Sequence, residues 1–331
     1  MGRRLENHPA ARTAPELVRS AQEVLRHSIS ERTRYIYETQ VRRFWKWCQR
    51  HDVSVYTPPT DETIALYIID RSRNVKISTI RSEISAIHFW MRGDFGEGGV
   101  KKSSDILDRV WRGLKRDHGT RSVSKLAVTV DMVEQFAESR FDEVVLKAIS
   151  IFGIYGLLRI SELLPLQRRS ETYHCWGDWS WNKDELRLFL AKSKTDISNR
   201  GVEIRYAPNG SKTCPVRWYR RLRKMYSMDT NDSTSPVFVR EDGSLFIQSD
   251  LRSYIKTNVS RLGYDCDKYS GHSLRRGGAS ALAKVGAPAH LLKSMGRWTS
   301  ECYMRYIDID QSVIRHYSRL LGDQTGCTED Y

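Results

Sequence analysis

DEVVLKAISIFGIYGLLRISELL, residues 142–164, is the most informative stretch of the chain. Residues 142–156 are apolar nearly all round, which predicts a helix buried in a larger core rather than one lying on a surface. Gly156 ends that helix, and Arg159 follows directly on the apolar run. A guanidinium taken out of water is costly unless it meets an anion. Glu162, three residues on, supplies an internal salt bridge. A second reading is compatible with the first: Glu162 holds Arg159 while the remaining N–H donors face a phosphate.

Downstream, residues 185–206 alternate like a hairpin, with Leu186, Leu188 and Leu190 on one arm and Val202, Ile204 and Tyr206 on the other. Lys194, in KSKTD, stands at its tip. WGDWSW at 176–181 reads as a buried sheet edge rather than a base-stacking platform. Helical patterns return from 211, at 249–262, 273–285, 288–294 and 300–307. Upstream, the polar and basic stretch 116–126 is a linker, and residues 14–115 are almost wholly helical. Ser30 caps a helix through about Arg50, in which Tyr35, Val41, Phe44, Trp45 and Cys48 recur at helical spacing. Asp61 opens another, with Ile64, Ala65, Ile68 and Ile69 on one face. Ser78 precedes a third, carrying Ile80, Ile84, Ile87 and Met91. A last short helix holds Ile106, Val110 and Leu114. The expected architecture is mainly α with a small β-sheet (α+β): a flexible tail over 1–13, a helical domain over 14–115, a mixed domain over 127–321 and a second tail over 322–331.

The chain has 331 residues, 40% of them hydrophobic, enough for two cores. Its 54 Lys+Arg against 40 Asp+Glu leave a formal charge of +14, which points to a polyanionic partner, nucleic acid first. No window approaches a membrane-spanning run, and MGRRLENHPAARTAP lacks the apolar core of a secretory signal. The six cysteines come no closer than 25 residues, so neither a zinc-type pair nor a disulfide framework is expected, and a reducing compartment is.

Two further motifs carry chemistry. In GHSLRR at 271–276, His272 and Arg275 lie three apart at a helix start, where the dipole and both side chains favour an anion. By itself this pattern is also that of a solvated helix end. In GRWTSECYMRY at 296–306, Thr299 or Ser300 caps a short helix displaying Tyr303 and Tyr306.

Taken together, Arg159, Lys194, the His272–Arg275 pair, Trp298 and Tyr306, in that order, resemble the tyrosine recombinase (phage-integrase) superfamily across essentially the whole chain. The resemblance implies an N-terminal SAM-like core-binding domain, including STIRSEISAIHFW at 78–90, and a C-terminal catalytic domain. It implies Arg159 and Arg275 as the catalytic arginines, with Glu162 supporting the first. Lys194 would protonate the leaving 5′ oxygen, His272 assist proton transfer, Trp298 donate to a non-bridging oxygen and Tyr306 act as nucleophile. Trp298 to Tyr306 spans eight residues where many members have nine, a form resembling retroelement recombinases of eukaryotes; Tyr303 is the second candidate.

The set makes physical sense without metal, nucleotide or other cofactor. Attack on a phosphodiester builds charge on non-bridging oxygens, which preorganised forked donors stabilise. Double-stranded DNA is the expected partner. Arg34, Arg42, Arg43 and Lys46, with Arg71, Arg73, Lys76 and Arg81, read as phosphate contacts, and the two domains as a clamp on the duplex. Val313, Ile314, Tyr317, Leu320 and Leu321 make 311–321 an amphipathic helix, which in the family can dock on a neighbouring protomer of a tetramer. The expectation is a site-specific recombinase or integrase of a mobile element, intracellular and DNA-associated: nuclear in a eukaryotic host, otherwise in the cytoplasm or nucleoid. The rivals are a DNA-binding protein that keeps the fold without strand exchange, and a type IB topoisomerase or telomere resolvase.

Overall fold

A computed structural model describes residues 8–54, 57–95, 104–118, 125–191, 200–226, 233–307, 314–315 and 318–320. The chain divides into two compact units, Met1–Ser122 and Val123–Tyr331.

In the first unit, α1 (Ala10–Thr13) and α2 (Pro15–His27) precede α3 (Glu31–Arg50), α4 (Asp61–Ser72), α5 (Ile77–Phe95) and α6 (Asp105–His118). Ser30 caps α3 by accepting from the Thr33 N–H, and Thr60 caps α4 in the same way from Thr63. The core gathers Phe44, Trp47, Ile64, Tyr67, Ile68, Ile80, Ile84, Ile87 and Met91. Two side chains break the expected phase. Tyr35 is 72% exposed and Trp45 is exposed, while Trp47 is buried and donates Nε1–H to Asp70 at 3.0 Å. On α4, Ile69 faces out and Tyr67 faces in, because the Tyr67 hydroxyl reaches a buried carboxylate, Glu83. Nor is the last helix short: α6 reaches His118, inside the stretch read as linker.

The second unit is built on α8 (Phe141–Tyr155), preceded by α7 (Val130–Glu134) and buried from Glu143 to Ile154, as its apolar circumference predicts. Lys147 is accommodated there because its ammonium donates to the carbonyls of Glu134 and Phe136 at 2.7 and 3.0 Å and pairs with Glu138. One short helix, α9 (Ile160–Leu163), follows. A three-stranded antiparallel sheet, β1 (Trp179–Trp181), β2 (Leu186–Leu190) and β3 (Val202–Tyr206), lies in the order β1-β2-β3, with Leu188 opposite Ile204. Leu186, Leu188, Leu190, Ile204 and Tyr206 face the core. Trp176 and Trp179 are buried as expected of a sheet edge, but Trp181, at the end of β1, is 43% exposed under the Arg220 guanidinium.

Four more α-helices follow among the described residues up to Gly296: α10 (Pro215–Met225), α11 (Gln248–Arg261), α12 (Ser273–Lys284) and α13 (Ala289–Gly296). Helix α12 packs closely on α8 because a Cβ on Gly278 would stand 2.1 Å from the Ile154 carbonyl oxygen. The segment Glu301–Tyr306 is a 3₁₀ helix capped by Ser300, not the α-helical turn expected over 300–307. The architecture is mainly helical with one small sheet, as the sequence predicts. Lys194 lies outside the described residues, as does most of 311–321, of which 314–315 and 318–320 are helical.

Candidate active site

The corner Gly156–Leu157–Leu158 closes α8 and carries the site. Leu157 is fully buried with φ +46°, a left-handed conformation costing about 1–2 kcal/mol for a residue with a Cβ. That conformation comes with a carbonyl bonded to two guanidiniums: Arg275 Nη1 donates to Leu157 O at 2.5 Å and Arg297 Nη2 at 3.0 Å.

Glu162 is the centre of the cluster. It sits on α9, 6% exposed, and caps that helix by accepting from the Arg159 backbone N–H at 2.8 Å. Its Oε1 accepts from Arg159 Nη1 at 2.5 Å, its Oε2 from Arg297 Nη2 at 2.9 Å, and Arg275 Nη1 lies 3.9 Å from Oε2. His174 Nε2 reaches the Glu162 backbone oxygen at 2.5 Å. Burial pushes the Glu162 carboxyl up, but Arg297 and Arg159 outweigh it and hold the group below the ordinary carboxylate range. The side chains of Arg159, Arg275 and Arg297 are 14%, 0% and 9% exposed, so three largely buried guanidiniums face one carboxylate.

Arg275 is the most enclosed of the three. Nη2 donates to the Gly296 carbonyl, Nε is buried without a hydrogen-bond partner among the described residues, and Cζ lies 4.4 Å from the Trp298 ring centroid and 5.7 Å from that of Tyr306. Burial first, then repulsion from Arg159 and Arg297, brings its pKa down to about 10. It therefore stays charged at neutral pH, in a field that favours an added anion.

His272, at the N-cap of α12, is exposed, and its ring is 6.4 Å from that of Tyr306. In a 3₁₀ helix residues i and i+3 eclipse, and Tyr303 and Tyr306 both lie tilted against the Trp298 ring, with centroids 6.2 and 5.3 Å away. Helical phase cannot separate them, but burial does. Tyr303 is 6% exposed in an apolar cluster with Leu157, Ala279 and Leu292, whereas Tyr306 is half-buried at its margin. Arg159, Glu162, His272, Arg275, Trp298 and Tyr306 are thus brought together.

Arg297 was not singled out from the sequence. The signal was available, because Arg297, not Trp298, stands nine residues before Tyr306.

In the first unit Arg42, Lys46, Arg73, Lys76 and Arg81 are exposed and Arg34 is half-buried, with Arg81 over the Trp111 ring. Arg43 and Arg71 correct the expectation of a free basic face. Arg71 gives both Nε and Nη2 to the fully buried Glu83 at 2.9 Å, and Arg43 Nη1 donates to it at 2.5 Å. A carboxylate without water draws the nearest guanidiniums inward.

Residues 129–312 match the phage integrase family, 184 of the 331 residues. An integrase/recombinase xerD homolog of Selenomonas ruminantium is 25% identical over 86% of this chain and 83% of its own. The recombinase cre of Escherichia phage P1 is 22% identical over 96% of this chain and 93% of its own. The structure of the Tn1549 transposon integrase in complex with transposon right end DNA superposes with a TM-score of 0.62 at 13% identity, covering 91% of this chain and 98% of that one. On this match the chain belongs to the phage integrase family, the tyrosine recombinases, which are DNA breaking-and-rejoining enzymes.

Proposed function

We propose that the protein is the site-specific recombinase or integrase of a mobile element, cleaving and rejoining double-stranded DNA through a 3′-phosphotyrosyl intermediate on Tyr306. The observation that carries this reading is the buried excess of positive charge beside that tyrosine. Three guanidiniums against one carboxylate leave two positive charges in a site that excludes much of the solvent. A phosphodiester at the mouth of the site supplies the missing anion, and more so as charge builds on its non-bridging oxygens.

In this scheme the Tyr306 oxygen bonds to phosphorus as the bond to the 5′ oxygen breaks. The phenolic proton passes toward His272, and Lys194 supplies the proton that the leaving 5′ oxygen takes up. Free tyrosine, with a pKa of about 10, is a weak nucleophile until a base takes up its proton. Arg159 and Arg275 hold the phosphate, Trp298 adds a neutral donor, and the charge is met by these groups without metal or nucleotide. The phosphotyrosyl bond keeps the energy of the broken linkage, so rejoining to a second strand is isoenergetic. Tyr306 is favoured over Tyr303 by its place between His272 and Arg275 and by the burial of Tyr303.

Arg34, Arg42, Lys46, Arg73, Lys76 and Arg81 contact phosphates in this reading, with Arg43 contributing the part of its fork not held by Glu83. A synaptic tetramer, joined through 311–321, brings two duplexes together.

Strand exchange tests the proposal. Two differently labelled duplexes carrying the flanks of the encoding element are incubated with the protein, and recombinant lengths are expected on a denaturing gel. Supercoil relaxation without recombinants would assign a topoisomerase-like activity. Tight binding without any protein–DNA adduct would leave a DNA-binding protein.

A further inference from the structure

We propose that Arg297 is a positioning residue of this reaction, fixing Glu162 against the Leu157 corner so that the carboxylate's other oxygen holds Arg159 in place. The inference rests on the recombinase reading, but its geometry is independent of it. The guanidinium carries four Nη hydrogens and meets four acceptors: Nη1 donates to Gly156 O at 3.2 Å and Met295 O at 3.1 Å, Nη2 to Leu157 O at 3.0 Å and Glu162 Oε2 at 2.9 Å. With its forks committed in this way, and Nε buried without a partner among the described residues, it has no Nη hydrogen left for a phosphate. Its work is internal.

The backbone supports the same reading. Arg297 has φ +56°, and the Leu157 whose oxygen it binds has φ +46°. Left-handed conformations are unfavourable for residues with a Cβ and persist where surrounding contacts over-determine them. Here two such residues are bonded to each other across 140 residues of sequence. Gly296, just before Arg297, admits no side chain either: a Cβ there would stand 1.9 Å from the Trp298 ring. The turn that aims Arg297 at Glu162 is therefore the turn that lays Trp298 on Arg275.

Lysine does not replace this fork, since an ammonium lacks the planar pair of donors. Arg297→Gln and Arg297→Lys are compared with wild type in single-turnover adduct formation on a nicked duplex, in DNA affinity and across pH. With the carboxylate loosened, Arg297→Gln is expected to form adduct about 100-fold more slowly at unchanged DNA affinity, and Arg297→Lys to recover part of the loss. The acid limb of the rate profile moves to higher pH in Arg297→Gln, because a cation holding Glu162 ionised is gone. The groups facing Glu162 are Arg159, Arg275 and Arg297, His174 on its backbone oxygen, and Tyr206. A His174→Asn background keeps the imidazole out of that profile.

Wild-type rate and an unmoved acid limb in Arg297→Gln would overturn the proposal. So would parallel loss of melting temperature, DNA affinity and rate with the limb unmoved, which is the mark of a merely structural arginine. Should wild type form no adduct, the recombinase reading fails by itself. The positioning claim is then decided by ¹³C titration of the Glu162 carboxyl, identified through Glu162→Gln: a higher titration pH in Arg297→Gln supports it, an unchanged one overturns it.

Discussion

Each unit of the molecule holds a buried glutamate against two or more arginines, Glu83 in the first and Glu162 in the second, and the two clusters are built to different ends. Around Glu83, Arg43 and Arg71 donate alongside the Tyr67 hydroxyl at 2.9 Å, and the extra positive charge sits on Arg43, whose side chain is 43% exposed. Water dissipates it. Around Glu162 there are three guanidiniums, none more than 14% exposed, and two of them carry a buried Nε with no partner. That excess has nowhere to go within the described residues. An arginine cluster that closes on its carboxylate is a structural device, whereas one left overcharged in a low-dielectric pocket favours an added anion.

Neutralising one arginine in each cluster separates these roles. The largest effect is expected for Arg275→Met: adduct formation slowed by about 10²–10³, the usual consequence of removing one preorganised donor. Its melting temperature should change little, since relief of like-charge repulsion offsets the lost bonds to two carbonyls. Arg71→Met should do the reverse. It strips a bidentate partner from a fully buried carboxylate and is expected to cost about 3 kcal/mol in urea unfolding of the first unit. Adduct formation by the DNA-bound fraction should persist. A smaller loss, about 1 kcal/mol, is expected for Tyr67→Phe, which removes one donor to Glu83 Oε2.

The smallest effect is a pH dependence. Burial pushes the Glu83 carboxyl up, but the Arg71, Tyr67 and Arg43 hydrogen bonds outweigh it and hold the group below its ordinary 4.5. A carboxyl depressed in the folded state stabilises the fold fully above its unfolded pKa, and that contribution is lost as pH falls through the folded value. Glu83→Gln should therefore be least stable relative to wild type at neutral pH. The gap in urea midpoints should close progressively below about pH 4.5. A gap that widens in acid would mean that Glu83 is not ionised in the folded protein.

These two clusters also mark the limit of what the sequence could say. The buried helix of 142–156, the hairpin, the capping residue Ser30 and the association of Arg159 with Glu162 are local patterns, and periodicity or spacing reveals them. Glu83 and its arginines were opaque. Arg43 and Glu83 are 40 residues apart on different helices, and nothing in either helix marks a guanidinium held by a buried carboxylate, so Arg43 and Arg71 read as phosphate contacts. Tyr35 and Trp45 were misplaced because an amphipathic stripe wide enough for several aromatics leaves the phase open by one residue, and Trp47 took the inward position through its bond to Asp70. Arg297 was missed for a different reason: its interval to Tyr306 marks the position but not what the side chain does. Its role depends on a left-handed turn at a residue with a Cβ, which no propensity anticipates.

The central claim is that the overcharged cluster serves Tyr306. A nicked suicide duplex from the flanks of the encoding element, run with wild type, Tyr306→Phe and Tyr303→Phe on a denaturing gel, tests it directly. The account predicts a covalent protein–DNA adduct in wild type and in Tyr303→Phe that is absent from Tyr306→Phe. An adduct that survives Tyr306→Phe and disappears in Tyr303→Phe would contradict it.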